Sequence, residues 1–167
     1  DRSSAASDVY KRQIINRAAV SILRLMGLFN RPADAGCLAA LRAEPPIPGL
    51  TEALHEGDRN EVWQRAIERL QTARLLAERE VNVGVLDAHP LIREHFDVGL
   101  KGDSESDQDE SSGYRQKYTA FREAHRRLYE HLKQSAPERP DNLNDMMPLY
   151  HAVAHGCNCL LYTSPSP

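Results

Sequence analysis

The sequence is short of cysteine, of aromatic residues and of any excess of one sign of charge, and each shortage excludes something. Three cysteines in 167 residues, with Cys37 and Cys157 far apart in the chain, build no disulfide framework and suit a reduced, cytoplasmic setting. Against 21 Lys+Arg stand 24 Asp+Glu, a formal net charge of -3. That balance offers no basic face of the kind phosphate backbones select, so nucleic acid is not an expected partner. Apolar runs are too short to cross a bilayer, so no membrane segment is expected. No GxxxxGK[ST] loop occurs, and without its backbone amides and lysine nothing cradles a triphosphate. The chain is not expected to hydrolyse ATP.

What is present at the two ends is unlike the middle. DVYKRQ, ending at Gln13, is what GAT GTG TAT AAG AGA CAG encodes, the end of a transposon sequencing adapter; CLLYTSPSP, from Cys159, looks like the same adapter read in the opposite direction. Residues 1–13 are therefore expected to be adapter-derived and disordered, and 159–167 an adapter-derived tail. Ile14 to Asn158 is expected to be the native part, cut from a longer gene.

Within it, hydrophobic spacing predicts a mainly α chain. Ile15, Ala18, Ala19, Ile22, Leu23 and Met26 step by three and four along one helical stripe that should stop near Gly27. Asn30, Arg31 and Pro32 supply start signals for a second helix whose buried side holds Ala33, Cys37, Leu38 and Leu41. The run PPIPG, Pro45 to Gly49, breaks helicity, and a single helical turn at Leu50 to Leu54 is expected to follow. A third helix runs from Asp58 or Asn60 to about Arg74, with Trp63, Ala66, Ile67 and Leu70 on one face. Leu75–Leu76 and Val85–Leu86 read as short strands of a hairpin turning near Asn82 to Gly84. After His89 and Pro90, a fourth helix presents Leu91, Ile92, Phe96 and Leu100. Three helices, a short β-hairpin and a closing helix make a winged helix over 14–101.

The segment 102–113, GDSESDQDESSG, is acidic and has no apolar residue, so it reads as a solvated linker and domain boundary. Beyond it Tyr114, Tyr118, Phe121, His125, Leu128 and Leu132 mark a long helix closing near Pro137. A last helix from Pro140 to Asn142 onward carries Leu143, Met147, Tyr150, Val153 and Ala154, with small residues at Ala152, Ala154 and Gly156. The pair over 114–158 is the expected first unit of a helical, tetratricopeptide-like repeat, which buries its face only when neighbours stack on it.

SILRLMGLFNRPADAGCLAALRAE, PPIPGLTEAL, LDAHPLIREHF and FREAHRRLYEHLKQSAPERPDNLNDMMPLYHAVAHGC together resemble the region after the nucleotide-binding core of bacterial STAND NTPases, the NACHT and NB-ARC-like group. The resemblance implies a parent signal-transduction ATPase binding ADP or ATP. Its winged helix folds back over the chain's own upstream nucleotide-binding domain, and its downstream repeats meet a protein partner. In relatives a Met-His-Asp triplet at the hairpin-to-helix junction sends its histidine to the ADP phosphates. Here the triplet is Ala88, His89, Pro90: only the histidine matches, and Pro90 removes the carboxylate. His89 is thus the one candidate cofactor contact, meeting phosphate alongside free backbone amides of the helix start. The alternative is a histidine that only caps or packs there.

No catalytic set and no metal set is expected. His95, His125, His131, His151 and His155 fall on helices, and although His151 and His155 are four apart, no Glu follows His151 as HExxH requires. Arg122, Arg126 and Arg127 read as a solvated surface diluted by Glu123 and Glu130, and Trp63 as core. Two other functions remain open from the residues alone. One is a DNA-binding winged helix using Arg59, Arg65, Arg69 and Arg74, which Glu61 and Glu68 oppose. The other is a helical-repeat scaffold for a protein partner.

Overall fold

The computed structural model describes residues 2–78, 84–101 and 112–160. Among them run six α-helices and one 3₁₀ turn: α1 (Arg2–Met26), α2 (Ala35–Leu41), the turn Glu52–His55, α3 (Arg59–Thr72), α4 (Pro90–Lys101), α5 (Ser112–Ser135) and α6 (Leu143–Leu160). The chain is mainly helical, and none of these helices is long and apolar enough to cross a membrane.

α1 buries the stripe its spacing foretells, with Ala18, Ile22 and Met26 essentially inaccessible. It starts earlier than expected, at Arg2 rather than near Ile14. Asp8 to Gln13 are exposed, so they gain no packing. Once a packed segment has nucleated a helix, each further residue adds a backbone hydrogen bond at little extra cost, which accounts for the extension. α1 ends at Met26, and the Gly27 that follows lies against α4: a Cβ on Gly27 would stand 2.7 Å from the Asp97 amide nitrogen and 2.8 Å from the Phe96 carbonyl carbon. Gly27→Ala must therefore push two backbones apart. We expect it to lower stability by about 1–3 kcal/mol, the range for overpacking; a denaturation midpoint equal to that of the unaltered chain would contradict the close crossing.

The second helix starts later than Asn30–Pro32 suggested. Asp34 is its N-cap, accepting from the Cys37 amide at 2.8 Å. The cause is non-local: Ala33 exchanges both backbone hydrogen bonds with Leu86, at 2.8 and 3.0 Å, and that pairing holds 33 in extended geometry. Asp58 caps α3 through the amides of Asn60 and Glu61, and α3 buries Trp63, Ala66, Ile67 and Leu70.

Among the described residues the β structure is limited to two antiparallel bridges, Ala33 with Leu86 and Leu76 with Ala88. The segment around Leu86–Ala88 is thus held from two sides, by the residue before α2 and by the residues after α3. The expected pairing of Leu75–Leu76 with Val85–Leu86 is shifted, since Leu76 lies opposite Ala88. Of the expected turn Asn82–Gly84, only Gly84 lies within the described residues, and it has a positive φ of 62°.

On α4 the core-facing stripe is Ile92, Phe96 and Leu100, spaced by four, with Leu100 buried and the other two partly buried against the core. Leu91, expected on that face, is 67% exposed, because it sits about a quarter-turn away. Arg93 is buried in its stead.

Residues 102–111 of the expected linker lie outside the described residues, and Ser112 already belongs to α5. α5 packs on α2, α4 and α6. Its Phe121, Ala124, Leu128 and Leu132 join one continuous core with α1 to α4 rather than a core of their own. Arg127, expected in a solvated face, instead donates to the backbone oxygens of Ala43 and Pro45 at 2.8 and 2.6 Å, clamping the proline-rich loop. Arg126 does face solvent, paired with Glu123 and Glu130.

α6 presents its small residues to α5. Asn142 and Asp145 cap it reciprocally, and small or polar residues, Ala152, His155 and Gly156, meet α5. Leu143, Met147, Tyr150 and Val153 are 65, 40, 52 and 61% exposed. Both stripes have helical spacing, and the small one wins because it lets the helices approach: Gly156 lies under the Tyr129 ring, where a Cβ would be 3.2 Å from the ring edge.

Candidate functional site

A cleft of about 1170 Å³ lies where the loop after α1, the end of α3, the 87–90 segment, α4 and the α5–α6 pair converge. His89 stands in its wall. The residue is the N-cap of α4: its Nδ1 accepts from the Leu91 amide at 3.2 Å, and its carbonyl accepts from Ile92 and Arg93. Pro90, next in line, has no amide to satisfy, and its fixed φ suits the first helical position. The amides expected to share an anion with His89 are therefore already used within the helix start. An accepting Nδ1 assigns the neutral ring's proton to Nε2, which leaves His89 one outward donor.

Arg93 fixes the segment that carries His89. Its Nε donates to the Ala88 carbonyl at 2.9 Å and its guanidinium pairs with Asp87. With its side chain 10% exposed, this is a shielded ion pair spanning the strand-like segment and the helix that follows it. Sequence reasoning passed over Arg93 because a charge on an amphipathic helix normally faces water. The available signal was Asp87 lying one and a half turns before it, across the cap.

The other cleft cations are Arg31, Arg74 and Lys101, set against Glu78, Glu94 and Asp97. Lys101 is taken by Asp97 at 2.6 Å, and Arg31 lies 3.5 Å from Asp34. No salt bridge to Arg74 is present among the described residues. The cleft thus has near-balanced charge, with Arg74 and His89 among the donors in its wall.

The floor is made of histidines the sequence kept apart. His125 of α5 and His155 of α6 meet Nδ1 to Nδ1 at 2.8 Å, and His151 lines the same cleft. One ring of the pair donates and the other accepts, so the contact exists only if at least one is neutral. Burial, then the neighbouring His155 and Lys101, push His125 down to about 3. Burial, then Arg31 and His151, push His155 down to about 4. Both are neutral at pH 7. His125 Nε2 is buried without a hydrogen-bond partner among the described residues. Of the His151–His155 pair, His155 directs its Nδ1 to His125. His95 is exposed, edge-on to Phe96, and His131 lies elsewhere, against Gly36.

On α3, Arg59 pairs with Glu44 and Arg65 with Glu61. Two of the four arginines considered for DNA are thus already matched to carboxylates, while Trp63 is core, with the Arg42 guanidinium 3.9 Å from its ring centroid.

No protein-family model, curated protein or solved structure matches the chain.

Proposed function

We propose that this chain is the regulatory part of a nucleotide-driven switch of the STAND type: a winged helix over 14–101 followed by the first helical-repeat unit over 114–158. The observation that carries the reading is His89, sited at the junction between the last bridge residue and α4 and lining an open cleft, with a single outward donor. Such a donor suits an anionic phosphate held from an upstream nucleotide-binding core. The order of the pieces supports it: a helix, a bridge residue at Ala33, two helices, a bridge residue at Leu76, then the Leu86–Ala88 return and a closing helix. The apolar outer face of α6 supports the repeat, because a further helix pair stacking there would cover it. In this reading ADP contacts bias a closed state, nucleotide exchange releases the winged helix, and no chemistry takes place in this chain.

Recovering the gene outward from Ile14 and Asn158 tests the reading first. A P-loop core is expected upstream and a second helix pair downstream; an upstream region without the core would sink it. In the protein carrying that core, His89→Asp separates the two roles of the residue. Aspartate is a strong N-cap, so the fold is retained, while its charge repels phosphate. ADP release is expected to quicken roughly 10- to 100-fold, the equivalent of losing one charge-assisted hydrogen bond. Unchanged ADP retention would leave His89 as a cap alone.

A further inference from the structure

We propose that Asp34, Cys37 and His131 form a zinc site that ties α2 to α5, independently of the switch reading. One donor atom from each lies within 4.8 Å of the others. The three come from separate pieces of structure: Asp34 caps α2, Cys37 is in its first turn and His131 is on α5.

The arrangement is built rather than incidental to a crowded surface. The capping bond from the Cys37 amide to Asp34 Oδ1, 2.8 Å, holds the carboxylate over the thiol. Gly36 opens the third side. A Cβ there would stand 2.8 Å from His131 Nε2 and 3.3 Å from Asp34 Oδ1, so imidazole and carboxylate converge on one point that only glycine leaves free. Cys37 is fully buried while Asp34 and His131 are half-buried, which gives an enclosed thiol and a solvent side through which an ion enters.

The donor chemistry selects the ion. Thiolate, imidazole and carboxylate together suit zinc, whereas magnesium and calcium want oxygen donors alone. One thiolate, one carboxylate and a neutral imidazole balance a divalent charge, so the loaded site is neutral. Loading requires Zn²⁺ to replace the proton on Cys37 Sγ: a zinc–sulfur bond forms, the S–H bond breaks and the proton goes to water, with no change of oxidation state. A water completes four-coordination. Donor pairs in such a site lie roughly 3.3–3.8 Å apart, as its bond lengths require, so loading draws the three donors closer than their present spacing within 4.8 Å. Arg31, 3.5 Å from Asp34 Oδ2, is the competing cation there, and its half-buried side chain must move off the carboxylate for an ion to load.

The test is titration of the full chain, stripped with chelator under reducing conditions, with Co²⁺ as probe and then Zn²⁺ as competitor. One Co²⁺ per chain is expected, with a thiolate-to-cobalt charge-transfer band and tetrahedral visible bands that Zn²⁺ abolishes, and a higher Tm with Zn²⁺. His131→Gln, at a half-exposed position, should keep the circular dichroism spectrum and weaken binding at least tenfold. Cys157→Ser with Cys159→Ser should bind as before. A folded chain that shows no thiolate band overturns the proposal, as does a Co²⁺ affinity unchanged by His131→Gln or a band that vanishes in the Cys157/Cys159 variant.

Discussion

Acidification from pH 7 towards pH 4 should unfold this protein, and the buried His125–His155 pair should set the steepness of the loss. Their folded-state values, about 3 and about 4, lie below the ordinary histidine value of 6.5. Between those limits the unfolded chain binds protons that the folded chain refuses. Stability is therefore fully present above about pH 6.5 and falls as pH drops towards 4 and then 3. Each histidine adds a slope approaching about 1.4 kcal/mol per pH unit, so the pair removes several kcal/mol across the window. Against a marginal total of about 5–15 kcal/mol, that decides folding. The physical cause is desolvation first; second, a charge on His125 would face His155 and Lys101, and a charge on His155 would face Arg31 and His151. The measurement is unfolding free energy by urea at pH 7, 6 and 5 for the unaltered chain, His125→Gln and His155→Gln. Each variant should lose about one histidine's share of the slope, even if its stability at pH 7 also falls. Identical slopes in all three would reject the pair as the acid-sensitive element. Carboxylates held low by their partners, such as Glu123 beside Arg126 and Arg127, add a further loss at lower pH, below their ordinary range.

Arg93→Ala should be the most damaging single change near the cleft, costing about 2–4 kcal/mol. Breaking a buried pair by removing one partner typically costs about 3–5 kcal/mol; the lower figure here reflects Asp87, whose side chain is 26% exposed and can recover some water. The Ala88 carbonyl loses its donor at the same time. For a chain of this length the Tm should fall by roughly 4–15 °C. Arg93→Lys should recover only part of this, because an ammonium cannot serve Asp87 and the Ala88 carbonyl with the planar fork of a guanidinium. Hydrogen exchange gives the spatial readout: the Leu86 amide, bonded to the Ala33 carbonyl at 3.0 Å, should exchange faster, while the fully buried Ile22 of α1 should keep its protection relative to global stability. If the Asp87→Ala and Arg93→Ala losses simply add in the double variant, the two are not coupled and the latch is misassigned.

The fold was most legible where one helical stripe is apolar and its opposite is charged. On α1 and α3 only one solution buries Ile22, Met26, Trp63 and Ile67 without burying arginine and glutamate. It was least legible on α6, whose two faces are apolar to similar degree. There the buried side was decided by how closely Gly156 and Ala152 let the helix approach α5, a property of two helices together. The start of α2 failed for a related reason. Asn30 and Pro32 are good local signals, but Ala33 is claimed by Leu86, more than fifty residues on, and pairing across that distance leaves no local trace. Of the candidate site, His89 and its cap were readable from the His-Pro step before an amphipathic run. The histidine floor was not, because His125 and His155 become neighbours only when α5 and α6 fold together.

The sequence by itself determined the mainly helical class and the positions of α3, α4 and α5 to within a few residues. These follow from spacing and from local hydrogen-bond competition, which operate within a turn or two of chain. Tertiary structure alone decided which face of α6 is buried, the enclosure of Arg93 with Asp87, the meeting of His125 with His155 and the convergence of Asp34, Cys37 and His131. Each of these depends on free energy gained between segments that are distant in the chain, where burial, close approach and charge pairing outweigh any residue's own preference.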